Sequence, residues 1–519
     1  MVHQTKFYGS QVGGSVVIPH SYTGSPLQLL RQDVASAFGF WKFLPFIVYP
    51  FRPQFSGPLC ELYPSASNLW SMFLHLILFL LQLPFVLSIP IWIFFPLWSI
   101  LGGVAVFWLV NSAIWYLLNG KEIRFPSNPK FAEKKPKHEH EQWIFLNGVA
   151  VGCHWLQSNV DRLALTFGRP VIGVHNKTNG IIFDVLQCLI QRNFNYATQD
   201  IRDCYSIVKS TLYDPNLTKV VFILHSQGGI EGGMIIDWLL QEVPQDLLAK
   251  LEVYTFGNAA NHFNNPHLHL LSQHAALSHP LTPSTTSTST SIHYHTPLPS
   301  LPTTNPRTSS STSTSGKTIH HIEHYAHTSD FVSRWGVLHF TCNFSLSPTA
   351  PRFMGRVFER VGEGHQFNMH YLDSMFPLEP APPEREKGGI GGSGFSGAKT
   401  ENEFMESMIV IGKEGDEASD EREGVEVSYL GAHGMPLGLS SNGNGVGKGE
   451  KNGVRNGVEE VIARTEEDVG FGDLGEMKER KGGTMQVKVK DLSRLWLYIN
   501  GGSPKLDEVD VGIARMATM

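Results

Sequence analysis

A serine followed by two glycines comes directly after an apolar run in the middle of the chain. The stretch VVFILHSQGG at 220–229 reads as a buried strand that leads into a turn at Ser226. A serine hydroxyl becomes a good nucleophile only when a base takes its proton and fixed donors stabilise the oxyanion. The stretch predicts a nucleophile at Ser226. The alternative is an N-capping serine in a turn without catalytic function.

The turn around Ser226 departs from the usual pattern at one position. Where a nucleophilic serine lies between a strand and a helix, the pattern is GxSxG, because small residues let the strand and the helix approach closely. Leu224 stands at the first glycine position, whereas Gly228 occupies the second. The packing of Leu224 should therefore distinguish a working turn from an inactive one.

Candidates for the acid and the base lie later in the chain. Asp330 follows a predicted strand that ends near Tyr325, and His365 lies in a glycine turn after the next strand. The order serine, acid and histidine, each at the carboxyl end of a strand, is that of a hydrolase triad. His370 is close enough in sequence to be an alternative base. The alternatives for Asp330 and His365 are a helix N-cap and a surface histidine.

Acyl transfer also requires N–H donors for the oxyanion. We expect one from Gln227, the residue after the nucleophile, and one from Val149 or Ala150 in the loop after the first strand of the domain. A phosphate-binding loop is the alternative for this segment, but neither GxxxxGK[ST] nor GxGxxG occurs there.

A histidine-rich strand, KTIHHIEHYAH at 317–327, raises the question of a metal site. Its histidines point to opposite faces, because side chains alternate along a strand, and Glu323 is the only carboxylate near them. The histidines are His320, His321, His324 and His327. We therefore expect no metal, and no motif in the sequence indicates another cofactor.

The elements that must position these residues alternate between strands and helices over 141–376. Short apolar runs there read as strands buried on both faces, hence a parallel sheet, and helical spacing between them supplies the crossovers. Strands are expected at 142–147, 170–175, 219–224 and 250–257, and helices at 154–167, 183–192, 198–212 and 229–242. The pattern predicts a doubly wound α/β domain.

Two polar regions differ in composition from this domain. Residues 277–316 are rich in Ser, Thr, Pro and His, and residues 377–483 in Gly, Glu and Lys. We expect disorder in both, because neither composition buries enough apolar surface to offset the entropy of ordering. The stretch at 485–502 alternates like a strand and carries a Leu, Trp and Tyr cluster. We expect it to be a short ordered segment that returns to the domain or to the membrane surface.

A long uncharged run near the N-terminus predicts membrane insertion. Residues 62–120 contain no Asp, Glu, Lys or Arg, and 70–118 has room for two passes of ~20 residues each. Pro84, Pro90 and Pro96 supply the bend between two helices. The alternatives are a hairpin that enters one leaflet, as in lipid-droplet proteins, and a buried hairpin of a soluble core.

Basic residues cluster just after the uncharged run, and they predict its orientation. The positive-inside tendency places the C-terminal part in the cytosol, and an even number of passes places the N-terminal segment 1–69 there too. The basic residues are Lys121, Arg124, Lys130, Lys134, Lys135 and Lys137. We expect a membrane protein whose hydrolase domain faces the cytosol, an orientation compatible with the endoplasmic reticulum or a lipid droplet.

The bulk composition excludes other classes of protein. The net charge is −6 and no basic stripe is present, so nucleic acid is not an expected partner. The five cysteines have no CxxC spacing, which is typical of free thiols in a reducing compartment. No charged residue lines the apolar run, which disfavours a channel or transporter.

Three sequence blocks resemble the lipase-type α/β-hydrolases, especially class 3 lipases and the related putative serine esterases. They are HSQGG at 225–229, VYTFGNAANHFNNP at 253–266 and SDFVSRWG at 329–336. The last is similar to the acid loop D-x-V-P-x-L of that family, with Ser333 in place of the proline. The resemblance covers about 141–376 without the insertion, and it implies an α/β-hydrolase fold with a triad of Ser226, Asp330 and His365.

These observations together predict a membrane-anchored serine hydrolase. It would cleave a carboxylic ester of a lipid or an acylated substrate through an acyl-enzyme intermediate. A catalytically inactive hydrolase-like domain that serves as a membrane scaffold is the alternative, favoured if Leu224 distorts the turn at Ser226.

Overall fold

The computed structural model describes residues 4–9, 25–266, 318–319, 321–342, 353–382, 390–412 and 487–504. The insertion predicted at 277–316 lies outside the described residues. The strands are β1 (Gln4–Tyr8), β2 (Arg124–Pro126), β3 (Glu141–Leu146), β4 (Val171–Val174), β5 (Lys219–His225), β6 (Leu251–Phe256), β7 (His321–His327), β8 (Arg356–Arg360), β9 (Leu378–Pro380), β10 (Phe395–Ala398) and β11 (Met408–Ile411).

One mixed sheet of nine strands organises the described residues. Its order is β11-β1-β8-β7-β6-β5-β3-β4-β2. The strands from β4 to β8 are parallel to one another, whereas β2 and β1 join this block in antiparallel fashion. Because the five parallel connections run the same way, the carboxyl ends of β3, β5, β6, β7 and β8 meet at one edge, where ligand sites of such sheets form.

Helices cover both faces of the sheet. The α-helices are α1 (Pro26–Gly39), α2 (Ala66–Ser88), α3 (Leu97–Asn119), α4 (Cys153–Phe167), α5 (Ile181–Phe194), α6 (Gln199–Leu212), α7 (Gln227–Glu242), α8 (Gln245–Leu248), α9 (Phe331–Trp335), α10 (Val337–Cys342), α11 (Asp373–Met375) and α12 (Val489–Leu492). Alternate strand residues feed two cores: Trp143 and Phe145 pack with α4, whereas Ile144 and Leu146 pack with α6 and α7. The α/β class predicted from the sequence is therefore confirmed.

The predicted strands and crossover helices of the parallel block are all present. The boundaries of β3 to β6 and of α4 to α7 differ from the predicted ones by at most two residues, as in β5, which extends to His225, whereas β7 begins four residues later than predicted. Such agreement is expected where an apolar period is strong, because burial then fixes the element type.

The expectation of disorder over 377–483 was wrong for its first part. Strands β9 and β10 form a two-stranded sheet, and β11 pairs in parallel with β1 at the edge of the main sheet. Strand β1 was also missed, because 1–69 was assigned to a separate segment. All of these strands are short, and β1 and β11 pair across most of the length of the chain, so local composition carries little signal for them. Residues 413–486 lie outside the described residues.

The segment predicted at 485–502 does return to the domain, but as helix rather than strand. Its described part contains α12 and a 3₁₀-helix, Leu495–Gly501. Arg494 forms an ion pair with Glu252 of β6 at 3.0 Å, and Tyr498 donates to the same carboxylate at 2.8 Å. The apolar cluster at its centre packs into the core on the α4 side of the sheet.

Two helices near the N-terminus are long and apolar enough to cross a membrane. The first span, Ala66–Phe94, comprises α2 and the 3₁₀-helix Ile89–Phe94, and the second, Leu97–Asn119, is α3. Pro90 and Pro96 lie at the bend as predicted, but α2 continues through Pro84. Neighbouring helices and local adjustment allow a proline inside such a helix.

Candidate active site

Ser226 lies at the sharp turn between β5 and α7. Its backbone has φ 57° and ψ −122°, a region that non-glycine residues rarely adopt. The N–H of Ser226 donates to the carbonyl of Phe256 at 3.1 Å, which fixes this conformation from the neighbouring strand. Backbone strain of this kind costs of order 1–3 kcal/mol and is typical of functional turns. The Ser226 side chain makes no cap hydrogen bond to α7, which argues against the N-cap alternative.

Leu224 fits beneath this turn because a glycine faces it. The Leu224 side chain is fully buried on the α7 side of the sheet. A Cβ on Gly232, in the second turn of α7, would overlap the Leu224 Cδ1 atom. The small residue at this contact is therefore Gly232 of the helix rather than residue 224 of the strand, and the strand and the helix still approach closely.

The loop after β3 also approaches Ser226 directly. A Cβ on Gly148 would overlap the Ser226 side chain, and it would lie 3.0 Å from Ser226 Oγ. Only glycine leaves room for the serine at this point. The loop predicted to supply an oxyanion donor is therefore in contact with the nucleophile candidate.

Asp330 and His365 are brought together as the sequence predicted. Nδ1 of His365 lies 2.8 Å from Oδ2 of Asp330, and both side chains are buried. Since a carboxylate oxygen only accepts, Nδ1 carries the proton and Nε2 presents a lone pair. That Nε2 atom is buried and has no hydrogen-bond partner among the described residues. The pair has the tautomer of a general base.

The Asp330 carboxylate is held as an anion. Burial alone would raise its pKa, but the positive charge that His365 carries when it is protonated, and the hydrogen bonds from His365, Tyr371 and Ser333, outweigh burial and lower the pKa to about 2. The hydroxyls of Tyr371 and Ser333 donate to Oδ2 at 2.6 and 2.9 Å. Oδ1 accepts the N–H of Val332 at 2.9 Å, so Asp330 is also the N-cap of α9. Asp330 therefore pairs with His365 and caps α9 at the same time.

Ser333, which replaces the proline of the acid loop, and Tyr371 both support the acid. Neither was assigned a role from the sequence, because an isolated serine or tyrosine has no distinctive spacing. Tyr371 is fully buried in the helical stretch that follows His365.

His225, the residue before Ser226, anchors the loop that contains His365. Its Nε2–H donates to the backbone carbonyl of His365 at 2.9 Å, and the two imidazole rings stack with centroids 4.8 Å apart. Burial is the main cause that lowers the pKa of His225 to about 3, so this ring is neutral. The residue ties the base to the end of β5.

His370, the alternative base, is engaged elsewhere. Its Nδ1 accepts the N–H of Gln366 at 2.9 Å, so its Nε2 carries the proton and donates to the carbonyl of Pro50 at 2.8 Å. Burial is the main cause that lowers the pKa of His370. With both nitrogens bonded to the backbone and Asp330 paired to His365, His370 has a positioning role.

Of the three N–H groups predicted to bind the oxyanion, that of Ala150 already donates to another acceptor. The N–H of Ala150 donates to Asp184 Oδ2 at 3.0 Å, so the expectation for Ala150 was wrong. The competing carboxylate was not recognised because Asp184 lies in another element, α5. Gln227 is the first residue of α7, where a backbone N–H has no intrahelical acceptor. Gln227 and Val149 remain the candidate donors.

A buried chain of amides connects the two sides of the oxyanion region. Asn147 Oδ1 accepts the N–H of Asn176 at 2.9 Å, and the Asn176 side chain donates to Gln227 Oε1 at 3.1 Å. Gln227 in turn donates to Gln191 at 2.9 Å. The loop after β3 and the start of α7 are therefore fixed relative to each other by amides that no local sequence pattern predicts.

The histidines of β7 have hydrogen-bond partners of their own. His321 pairs with Glu323 at 2.8 Å, and His324 contacts Thr255 Oγ1 at 2.7 Å. His327 lies 2.9 Å from Ser374 Oγ. These partners hold the rings in place around the sheet, and His320 lies outside the described residues.

The sequence and the fold were also compared with known proteins. No protein-family model matches the chain. No curated protein and no solved structure shows detectable similarity to it.

Proposed function

We propose that this chain is a membrane-associated serine hydrolase with an α/β-hydrolase fold. It cleaves a carboxylic ester of a lipid or an acylated substrate through an acyl-enzyme intermediate. The observation that carries the proposal is the buried Asp330–His365 pair. The Nε2 atom of His365 has no partner among the described residues, and its ring stacks on that of His225, the residue before the strained turn at Ser226. Other buried ring nitrogens, such as His225 Nδ1, also have no partner among the described residues. What sets His365 apart is the carboxylate on its other nitrogen, the arrangement that a general base requires.

The proposed reaction begins with proton transfer within this group. Ser226 Oγ turns toward His365, gives its proton to Nε2 and attacks the ester carbonyl carbon. The Asp330 carboxylate keeps the proton on Nδ1 and stabilises the imidazolium that forms. His365 then protonates the leaving alcohol as the carbon–oxygen bond breaks, which leaves the acyl group on Ser226.

Water completes the cycle in the second half. His365 Nε2 takes a proton from a water molecule, whose oxygen attacks the acyl carbon, and returns the proton to Ser226 Oγ. The negative charge on the carbonyl oxygen is stabilised in both halves by the N–H groups proposed for Gln227 and Val149. Products are an acid and the regenerated serine.

Apolar surface close to the site supports a lipid substrate. The 3₁₀-helix Trp41–Ile47 and the chain after it expose large apolar side chains, and their backbone contacts the loop of the base. Gln366 donates to the carbonyl of Ile47 at 3.3 Å, next to the bond from His370 to Pro50. An acyl lipid at a membrane surface would meet this side of the domain first.

Labelling with a fluorophosphonate probe tests the proposal. In membranes that contain the full chain, we expect covalent labelling that is lost in Ser226→Ala and in His365→Ala. Ser206→Ala, at an exposed serine of α6, is the matched control and should label like the unchanged chain. His370→Ala should keep most of the labelling, because its ring does not contact Asp330.

An inactive scaffold is the second candidate function. It is favoured by one observation, that His365 Nε2 has no hydrogen bond to Ser226 Oγ. Such bonds are often long before substrate binds, so this geometry is compatible with both functions. Absence of Ser226-dependent labelling, in a chain shown to be folded, would decide for the scaffold.

A further inference from the structure

The half of the α2–α3 hairpin nearest its two ends, residues 66–85 and 107–119, is docked on the α/β domain. We call it the docked half, and polar side chains make many of its contacts. Asn68 accepts a hydrogen bond from the Trp155 indole at 3.0 Å, and His75 stacks on the same ring with centroids 5.2 Å apart. Further along α2, Gln82 donates to the backbone carbonyl of Asn179. At a rise of 1.5 Å per residue, these contacts extend over ~21 Å of helix.

The returning helix α3 is docked in the same way. Asn119 and Thr178 exchange two hydrogen bonds, at 2.9 and 3.0 Å. Gln82 also donates to Asn111 at 2.9 Å, which joins the two helices at the depth of its contact with the domain. If both helices crossed a bilayer completely, the irregular chain at Asn179, which contacts Gln82 at the level of Asn111, would enter the hydrocarbon, where each unsatisfied backbone group costs several kcal/mol.

Apolar side chains are exposed along the outer face of the whole hairpin, as at Leu76 and Leu109, but in the other half, residues 86–106, no residue is buried. Phe107 still packs on Phe183 of α5, with ring centroids 5.9 Å apart. Beyond it, Ile93 is 84% and Trp98 is 77% exposed. From Leu97 to Phe107, α3 rises only ~15 Å, which is half of the ~30 Å hydrocarbon core of a bilayer. This half of the hairpin is long enough for one leaflet and too short for two.

Both ends of the hairpin belong to one sheet. Strand β1 precedes the hairpin and β2 follows it, so the chain enters and leaves the membrane on the same side. Helix α5, beside the docked half, exposes apolar side chains at helical spacing on its outer face. They are Ile181, Val185, Leu186, Ile190 and Phe194. Such a face is suited to the boundary between headgroups and acyl chains.

We infer that residues 86–106 insert into a single leaflet, and that the docked half holds the α/β domain against the same membrane surface. The partner is the acyl-chain region of a phospholipid leaflet. The tip of the hairpin ends near the bilayer midplane. This insertion geometry does not depend on catalysis, so an inactive Ser226 would leave it unchanged, and a different geometry would leave the proposed reaction unchanged.

Single cysteines at the tip of the hairpin test the inference in the full chain. Trp98→Cys and Ile93→Cys are placed in sealed vesicles of phosphatidylcholine and phosphatidylserine, with the domain on the outside. Lys121→Cys, just beyond α3, is the control, and the unchanged chain gives the background of its native cysteines. Each variant is treated with a membrane-impermeant maleimide, before and after the vesicles are opened. A bimane label, attached to the tip before reconstitution, is quenched by lipids brominated at shallow or deep chain positions.

The two measurements distinguish the geometries. For a one-leaflet hairpin, Lys121→Cys reacts in sealed vesicles, whereas both tip cysteines react at least tenfold more slowly before and after opening, and deep bromines quench best. A hairpin that crosses twice would react at the tip only after the vesicles are opened, with stronger quenching by shallow bromines. A tip that reacts in sealed vesicles lies in water. Either of the last two results overturns the inference, and a second tip position covers a variant that fails to fold.

Discussion

Asp330 combines a structural and a proposed catalytic role in one side chain. One carboxylate oxygen caps α9, and the other accepts the proton-bearing Nδ1 of His365. Asparagine caps helices about as well as aspartate does, but it cannot hold the imidazole in the required tautomer. The two roles are therefore separable by substitution.

We expect Asp330→Asn to lower kcat for an ester substrate by about 10³–10⁴-fold, by analogy with the serine-protease triad, while the folded domain persists. Asp330→Ala should lose activity similarly and should also lose about 1 kcal/mol of cap energy. Ester hydrolysis and thermal unfolding of both variants check this. Equal activity in Asp330→Asn and the unchanged chain would contradict the role of the acid.

At the scale of elements, the fit between β5 and α7 depends on the pairing of Leu224 with Gly232. Gly232→Ala should destabilise the domain, because its Cβ overlaps Leu224, whereas Leu224→Ala should cost ~2–5 kcal/mol through a cavity. The double variant should cost less than the sum, because the new methyl group enters the space vacated by the leucine. Gly233→Ala is the matched control, since a Cβ there meets no atom closer than 3.5 Å. Strict additivity in thermal unfolding would show that the two sites do not compensate.

A buried glutamate from the N-terminal region caps the helical stretch that carries Tyr371. Glu61 accepts the N–H groups of Asn368 and Met369 at 2.8 and 3.1 Å. Burial raises the pKa of Glu61 to about 7, from an ordinary value of 4.5. Between these two pH values the folded chain binds more protons than the unfolded chain, so the free energy of unfolding should fall as the pH rises from about 4.5 to 7.

Glu61→Gln should remove this contribution to the pH dependence. The amide oxygen still accepts a backbone N–H, but the side chain no longer titrates. Thermal unfolding of the detergent-solubilised protein at pH 5, 6, 7 and 8 should show a flatter profile for the variant. An unchanged slope would mean that Glu61 titrates normally despite its burial.

The elements that the sequence predicts well are those with strong local periodicity. Strands such as β5 are buried on both faces, so their apolar runs are unambiguous, and the order of Ser226, Asp330 and His365 follows from the strands that carry them. Contacts between distant segments leave no such local sign. The engagement of Ala150 by Asp184, and the pairing of β1 with β11, depend on tertiary packing and were not predicted.

Over the whole molecule, the C-terminal segment closes the domain on the side of the sheet opposite α7. Arg494 and Tyr498 bring a charge and a hydroxyl to the buried Glu252. The backbone N–H groups of Arg494 and Leu495 donate to Glu323. Arg169, which is fully buried, donates to the carbonyl of Tyr498 at 3.1 Å. Charges buried in this way depend on their partners, because a partner's removal costs about 3–5 kcal/mol.

A chain that ends at Gly412 should therefore fail to fold stably, although every residue of the proposed triad is retained. It loses the donors that the C-terminal segment brings to Glu252 and Glu323, and it exposes the apolar surface that Leu495 and Tyr498 cover. A chain that ends at Pro504 keeps all of these contacts and is the matched control. Limited proteolysis and thermal unfolding of both chains check the prediction. If the shorter chain were as stable as the control, the segment would be a surface attachment and the core of the domain would be complete without it.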